Sequence, residues 1–230
     1  MGEGLKQAVA LLATGDKDIY EIMFLSLRVS LTAVMIGTLI GVPLAAFLSL
    51  CRFPGRRLVE NVIFSLMGLP PVLAGLVIYL LISRKGPLGY ASLLWTPTAM
   101  IMAQVLLVIP IVTGLAIVAI RGKERMLAET ALTLGASGPQ TALMVVGEAR
   151  TGIIAGVLTG FGRVFAEVGA VMMVGGNIEH NTRVLTTAIV LETRQGSFDA
   201  ALALGIILLV LSFIISGLLL NLQRGVGRYV

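Results

Sequence analysis

Two residues of opposite charge, Arg163 and Glu167, stand in a long segment that otherwise consists of apolar or small residues. Their spacing of four residues places them one turn apart on the same helical face, where they can form an ion pair. A charge at the centre of a bilayer costs about 2.5–3.5 kcal/mol on insertion scales, so such charges pair or face water or protein. Two interpretations stay open: a polar path across the membrane, or an ion pair that fixes helix packing.

The residue types that carry enzyme chemistry are scarce. Cys51 is the only cysteine, so no internal disulfide or thiolate metal centre can form, and the lone histidine, His180, has no second ligand nearby in the sequence. No Gly-x-x-x-x-Gly-Lys-Ser/Thr loop for nucleotide phosphates occurs, and no nucleophile stands with a base. We therefore expect no catalytic residue and no metal site on this chain.

The composition indicates a polytopic membrane protein of the all-α class. Of 230 residues, 57% are hydrophobic and 13% charged, and the mean hydropathy is +0.99. A helix needs about 20 apolar residues to cross roughly 30 Å of hydrocarbon. The segments that meet this requirement are 22–50, 60–83, 97–120, 150–175 and 200–223. We predict one transmembrane domain over 1–230, a bundle of about five helices, preceded by a short interfacial helix at 4–14.

Basic residues are distributed unevenly over the connections between these spans. With the N-terminus outside, the connections on the inner side carry the larger share, namely Arg52, Arg56, Arg57, Arg121, Lys123, Arg125, Arg150, Arg224 and Arg228. The positive-inside rule therefore predicts that the C-terminus and the segment 121–149 are cytoplasmic. Topology also explains the formal net charge of +5, and no nucleic-acid motif is present, so we expect no nucleic-acid partner.

The segment 121–149 is basic and polar, and its pattern predicts two short helices. Good helix formers run from 124 to 134. Gly135 follows and is expected to end the helix in a left-handed backbone conformation. Ser137-Gly138-Pro139 marks a turn, and a second helix is expected over 140–146. We therefore expect a helical hairpin that protrudes from the membrane and can receive a soluble partner.

Three glycines in the fourth predicted span recur every four residues on one helical face: Gly152, Gly156 and Gly160. Small residues at this spacing allow helix backbones to approach closely in lipid, where apolar burial gives little drive for association. This face is therefore expected to pack inside the bundle or to form a homodimer interface.

The centre of the polar segment resembles the Glu-Ala-Ala coupling loop of permease subunits of ATP-binding-cassette importers. In that family the pattern is Glu-Ala-Ala, three residues, Gly, nine residues, then Ile-x-Leu-Pro. In this sequence Gly147 and Glu148 replace the Leu and the Pro. Here Glu129, Ala131 and Gly135 stand at the matching offsets, with Thr130 at the first Ala position and Val145 at the Ile position.

Further runs resemble the oxyanion branch of these permeases, which carries molybdate, tungstate and sulfate. The run from Gly162 to Ala170 is similar to the Gly-Arg-x-x-x-Glu-x-Gly-Ala segment of that branch, with a Gly-Asn after it. Residues 66–89 resemble its second span and outer loop. Val168 and the run from Met172 to Gly176 are most similar to the tungstate type.

The resemblance implies a permease that imports tungstate, or the similar molybdate, by alternating access across the cytoplasmic membrane of a bacterium or archaeon. It implies two copies of an ATPase subunit that carries the ATP and Mg, an extracytoplasmic tungstate- or molybdate-binding protein, surrounding lipid, and a second copy of this chain. No cofactor is expected on the chain itself. The residues implied to contact the ATPase are Glu129, Thr130, Ala131, Gly135 and Ala136. A sulfate permease of the same branch and an ion-coupled secondary carrier remain alternatives.

Overall fold

The computed structural model describes residues 17–227, and for 124–126, 128–129, 132 and 222–227 it describes the backbone alone. The interfacial helix predicted at 4–14 lies outside these residues. Within 17–227 the chain forms helices and no β-strand, which confirms the all-α prediction. The helices are α1 (Lys17–Leu50), α2 (Arg56–Leu66), α3 (Pro71–Ile82), α4 (Pro97–Thr133), α5 (Gly138–Glu148), α6 (Arg150–Phe165), α7 (Gly169–Gly175), α8 (Leu185–Gln195) and α9 (Phe198–Gly227).

Within residues 17–227, three helices are long and apolar enough to cross a membrane: α1, α4 as far as Lys123, and α9 as far as Asn221. Two further spans are possible if each of two bent pairs counts as one. The pair α2 and α3 is bent by 106°, and the pair α5 and α6 by 59°. The result is a polytopic helical bundle of three to five spans.

The predicted second span is broken at Pro70 and Pro71. Pro70 has an extended backbone, with ψ of 128°, because a residue that precedes proline is sterically excluded from the helical region. Pro71 then occupies the first position of α3, where its missing N–H leaves no bond unmade. The chain therefore turns sharply between α2 and α3.

The predicted fourth span, 150–175, also differs from the structure. α6 ends at Phe165, and α7 begins as a separate short helix at Gly169. Glu167, in the break, accepts a hydrogen bond from the Ala170 N–H at 3.2 Å, which satisfies one of the donors that the first turn of a helix leaves unpaired. The Glu167 carboxylate therefore stabilises the break between α6 and α7 by pairing with a backbone N–H of α7.

α4 is the longest helix among the described residues, and its 37 residues correspond to about 55 Å. It continues without interruption through Thr133, so the prediction of a separate helix beginning at 124 is wrong. The sequence after Lys123 consists mainly of good helix formers, and Gly122 alone is too weak a breaker to end the helix. The predicted stop is confirmed: Gly135 has φ of +78°, and the Ala136 N–H bonds to the Ala131 carbonyl at 3.0 Å.

α4 also runs through the middle of the core. Its buried side chains include Leu107, Val108 and Val112, which pack with Val29 of α1 and Phe161 of α6. The outward faces of α1 and α9 instead carry large apolar side chains, as expected for contact with lipid: Phe24, Met35, Leu39, Leu209, Phe213 and Leu218.

Candidate functional site

Arg163 and Glu167 form the ion pair that the sequence predicts. Arg163 Nη1 lies 3.1 Å from Glu167 Oε2. The two side chains differ in environment, since that of Glu167 is 5% exposed and that of Arg163 is 41% exposed. The pair therefore consists of a carboxylate fixed inside the bundle and a guanidinium at its surface.

Glu167 is held by bonds to three neighbouring elements. Its Oε1 accepts the Ala170 N–H of α7, and its backbone carbonyl accepts the Thr186 hydroxyl of α8 at 2.9 Å. Its own N–H donates to the carbonyl of Val164 in α6 at 3.1 Å. These bonds leave Glu167 little freedom, so it can orient Arg163.

A small polar cavity lies beside Glu167, inside the bundle. Its polar lining comes from Ser26, Ser30, Gln104, Glu167 and Thr186, and it has room for about one water molecule. Gln104 donates to the Val164 carbonyl at 3.1 Å, while its Oε1 is buried without a hydrogen-bond partner among the described residues. A cavity of this size is too small for an oxyanion.

The face of α6 that carries Arg163 differs from the lipid-type faces of α1 and α9. Its exposed residues are all small or polar: Ala155, Thr159, Gly162, Arg163 and the following Ala166. The Thr159 hydroxyl is bonded to the Ala155 carbonyl at 2.9 Å. Hydrocarbon solvates a guanidinium poorly, so this face is suited to water or to another protein surface.

Gly152, Gly156 and Gly160 face α4 of the same chain. A Cβ built on Gly152 would lie 2.6 Å from Ala119 Cβ. On Gly156 it would lie 3.0 Å from Leu115 Cβ, and on Gly160 it would lie 3.3 Å from Val112 Cγ2. The structure thus places these three glycines at the close contact between α6 and α4, within one protomer.

The residues matched to the coupling loop lie where α4 ends and turns back into α5. Glu129 is in the last turns of α4, Thr130 is exposed beside it, and Ala131 is fully buried. A Cβ on Gly135 would meet nothing within 4 Å, so this turn is open on its outer side. Ala136, half-buried, completes the turn through its bond to the Ala131 carbonyl.

The first residues of α5 fix the second half of the hairpin. The Ser137 N–H donates to Gln140 Oε1 at 2.9 Å, as in a capping box. Thr141 and Val145 of α5 are buried against the bundle, and Leu143 is exposed. The segment is therefore a helical hairpin, but its first helix is the end of α4.

His180 has neighbours that the sequence analysis did not find. Its Nδ1 lies 3.0 Å from Glu21 Oε2, and Asp18 completes a group of three exposed side chains whose ligand-type atoms lie within 4.8 Å of one another. The hydrogen bond to Glu21, and then the charge of that carboxylate, raise the pKa of His180 above its ordinary value. The group joins residues 159 positions apart, so no sequence spacing could reveal it.

Glu60 is a second buried carboxylate that the sequence analysis missed. It is 7% exposed and pairs with Arg56 of the same helix and with Arg121 of α4. A signal was present, because Arg56 and Glu60 have the same spacing as Arg163 and Glu167 at the edge of an apolar segment.

Comparison with known proteins gives relatives over nearly the whole chain. The chain is 41% identical to the tungstate uptake system permease protein TupB of Peptoclostridium acidaminophilum, over 97% of this chain and 98% of that protein. It is 34% identical to the TupB protein of Campylobacter jejuni, over 96% and 93% of the two chains. It is 40% identical to a probable anion ABC transporter permease protein of Haloferax volcanii, over 86% and 89%.

Among solved structures, a bacterial alginate ABC transporter in complex with its periplasmic protein contains a chain of the same fold. The TM-score is 0.74 at 17% identity, and the match covers 98% of this chain and 88% of that one. Residues 33–228 also match the family described as the binding-protein-dependent transport system inner membrane component. This chain therefore belongs to that family of inner-membrane transport proteins.

Proposed function

We propose that this chain is the permease subunit of an ATP-driven importer that carries tungstate across the cytoplasmic membrane. The observation that carries the proposal is its similarity, from end to end, to two tungstate uptake permeases, at 41% and 34% identity. Sulfate and molybdate permeases of Escherichia coli are each 28% identical to it. Tungstate is therefore favoured over sulfate and molybdate as the transported ion. Molybdate stays the nearest alternative, because its size and charge are almost those of tungstate.

Import of such an anion needs an energy source. A dianion that enters a negative-inside cell works against about 4.6 kcal/mol per 100 mV, twice the value for one charge. A passive pore would release it outward. The family description names transport that depends on a binding protein, which favours an ATP-driven importer over the ion-coupled carrier considered from sequence.

The polar face of α6 supports a path between two copies of this chain. We infer that Arg163, exposed on this face, lines that path in a homodimer and attracts the oxyanion. Glu167 lies behind Arg163 and pairs with it at 3.1 Å. Because the carboxylate offsets part of the positive charge, the anion would be held weakly enough to leave, as conduction requires.

The hairpin from Arg121 to Ala149 is the proposed contact for an ATPase subunit on the cytoplasmic side. Its support is geometric: α4 extends from the middle of the core to the tip of the hairpin, so a force on the tip reaches the bundle through one helix. We propose that one ATPase with its ATP and Mg docks on each copy, around Glu129 and Gly135. The N-terminus would then be outside and the C-terminus inside.

A soluble binding protein is the proposed source of tungstate on the outer side. The outer ends of the helices would receive it, and it would supply most of the discrimination between oxyanions. Closure of the ATPases would then switch the path from outward-facing to inward-facing.

The test is reconstitution of a complex purified from its native membrane. A tagged chain should bring with it an ATP-binding-cassette ATPase, and proteoliposomes that contain the complex and its binding protein should accumulate tungstate only when ATP is present. Molybdate and sulfate are added as competitors. Uptake without ATP, or a complex that lacks any ATPase, would contradict the proposal. Preferential uptake of molybdate would show that molybdate, not tungstate, is the transported ion.

A further inference from the structure

Glu60 lies between two arginines at the end of the bundle from which the hairpin extends. Arg56 Nε, on the same helix, is 2.7 Å from Glu60 Oε1. Arg121 of α4 contacts the same oxygen through Nη2. The Glu60 side chain is 9% exposed, so its charge is stabilised mainly by these two guanidinium groups. This cluster joins α2 to α4.

Arg56 is anchored a second time, to the end of α1. Its Nη2 donates to the Ser49 carbonyl at 2.9 Å, and its Nη1 donates to the Cys51 carbonyl at 3.3 Å. Carbonyls at a helix C-terminus have no partner within the helix, so these bonds satisfy groups that would otherwise be unpaired. Arg56 therefore belongs to the fixed connection between α1 and α2.

Arg121 is the more accessible of the two partners, with its side chain 37% exposed. If one member of a buried pair is removed, the charge left behind destabilises a protein by several kcal/mol. Here Arg56 keeps Glu60 paired when Arg121 moves away. The contact between Arg121 and Glu60 can thus open without leaving a buried charge unpaired.

The position of Arg121 connects this contact to the hairpin. Arg121 lies near the end of the apolar part of α4, and Glu129 is eight residues further along the same helix, or roughly 12 Å. At its other end α2 is bent by 106° into α3. α3 in turn packs against α7, where a Cβ on Gly75 would lie 2.8 Å from Ala170 Cα. A shift of α4 can therefore reach the region of Glu167 through α2 and α3.

We propose that Glu60 is a positioning residue for transport, and that its contact with Arg121 closes in one state of the transport cycle and opens in the other. In the closed state α2 follows the movement of the hairpin. In the open state α2 and α3 are released from α4. This inference rests on the proposed function of the chain as an ATP-driven permease.

The test uses the complete transporter in proteoliposomes and measures tungstate uptake per ATP hydrolysed. In Arg121→Gln, Glu60 stays paired with Arg56, so the complex should assemble and hydrolyse ATP, while uptake per ATP falls about tenfold, within the usual range of coupling between sites. Glu60→Gln should lower the ratio similarly. The double variant should lower uptake per ATP no further than the more damaging single variant does, because both substitutions break the same contact between Arg121 and Glu60.

Glu179→Gln is the matched control, since it removes the pair of the exposed Glu179 with the partly buried Arg183, which is also spaced at four residues but joins no two helices. Its ratio should equal that of the unaltered complex. A proportional fall of uptake and ATP hydrolysis in Arg121→Gln, or an unchanged ratio, would overturn the inference. Absence of ATP-dependent uptake in the unaltered complex would instead overturn the proposed function.

A distance measurement covers the case in which Arg121→Gln assembles poorly. Spin labels are placed on the exposed positions Leu58 of α2 and Val118 of α4, with Cys51 replaced by Ser. The distance between the labels should differ between the ATP-free and ATP-trapped complex. An identical distance in both states would show that α2 and α4 do not separate, and the proposal would fall.

Discussion

Gly75 and Ala170 bring two short helices into backbone contact: a Cβ on Gly75 would lie 2.8 Å from Ala170 Cα and 3.1 Å from the Ala170 carbonyl oxygen. Because these atoms belong to the backbone of α7, no side-chain rotation can make room for a larger residue. The contact ties α3 to the short helix that follows Glu167.

Replacement of Gly75 by Ala should therefore destabilise the protein. We expect a loss of about 1–3 kcal/mol in the free energy of unfolding, as for other cases of overpacking. The measurement is thermal unfolding in mild detergent. Gly205→Ala is the control, because a Cβ there meets nothing within 4 Å and alanine favours a helix. Equal Tm values for the two variants would contradict the contact.

The sequence predicts the helical class because long apolar runs have few alternative structures in lipid. It also predicts the pairing of Arg163 with Glu167 and the stop at Gly135, since both depend on residues within one or two turns of each other. The wrong predictions concern where a helix continues and where it is interrupted. The extension of α4 past Lys123 follows local helix preference, which a single Gly122 does not interrupt. The break at Glu167 instead depends on partners in α7 and α8, which local preference does not reveal.

Contacts between residues distant in sequence also escaped prediction. Arg121 pairs with Glu60 across 61 positions, and His180 pairs with Glu21 across 159. Each of these residues looks like an ordinary charged group at a helix end. The packing of α2 against α4 brings Arg121 to Glu60, and the packing of α1 against the segment after α7 brings Glu21 to His180.

Gly135 should tolerate substitution poorly. Its φ of +78° is in the left-handed region, where a β-carbon costs roughly 1–2 kcal/mol. We expect Gly135→Val to reduce ATP-dependent uptake strongly and Gly135→Asn to retain more activity, because asparagine tolerates this conformation. Gly138→Ala serves as the control in the same turn, since a Cβ there is free of contacts. Equal uptake by all three variants would argue against a role for this turn.

Arg163 and Glu167 should give different phenotypes. Arg163→Lys keeps a positive charge beside the buried Glu167 carboxylate but loses the planar guanidinium, so we expect reduced uptake with a nearly unchanged Tm. Glu167→Ala removes the acceptor of the Ala170 N–H as well, and an unsatisfied buried donor costs about 1–3 kcal/mol. Its Tm should therefore fall.

Glu167→Gln separates the two effects, because its amide oxygen can still accept the Ala170 N–H while the charge is lost. Stability close to that of the unaltered protein, with reduced uptake, would assign the charge to the transport path. A loss of stability as large as in Glu167→Ala would instead assign Glu167 to helix packing.

The contact between His180 and Glu21 should make stability depend on pH. The hydrogen bond to Glu21 and its charge, with smaller contributions from Asp18 and Glu179, raise the pKa of His180 above its ordinary value of 6.5. Since the folded pKa is the higher one, the stabilisation is fully present below about pH 6.5. It is lost as the pH rises through the raised pKa.

We therefore expect the unaltered protein to exceed His180→Gln in Tm at pH 6, and the difference to shrink as the pH is raised to about 8, where the imidazolium loses its proton. The difference should be small, because both side chains are largely exposed and exposed ion pairs stabilise proteins weakly. Glu21→Gln should remove most of the pH dependence, since it deletes the main partner of His180 and leaves the smaller contributions of Asp18 and Glu179. A difference that grows with pH would mean that neutral, not protonated, His180 is the form that holds α1 to the segment after α7.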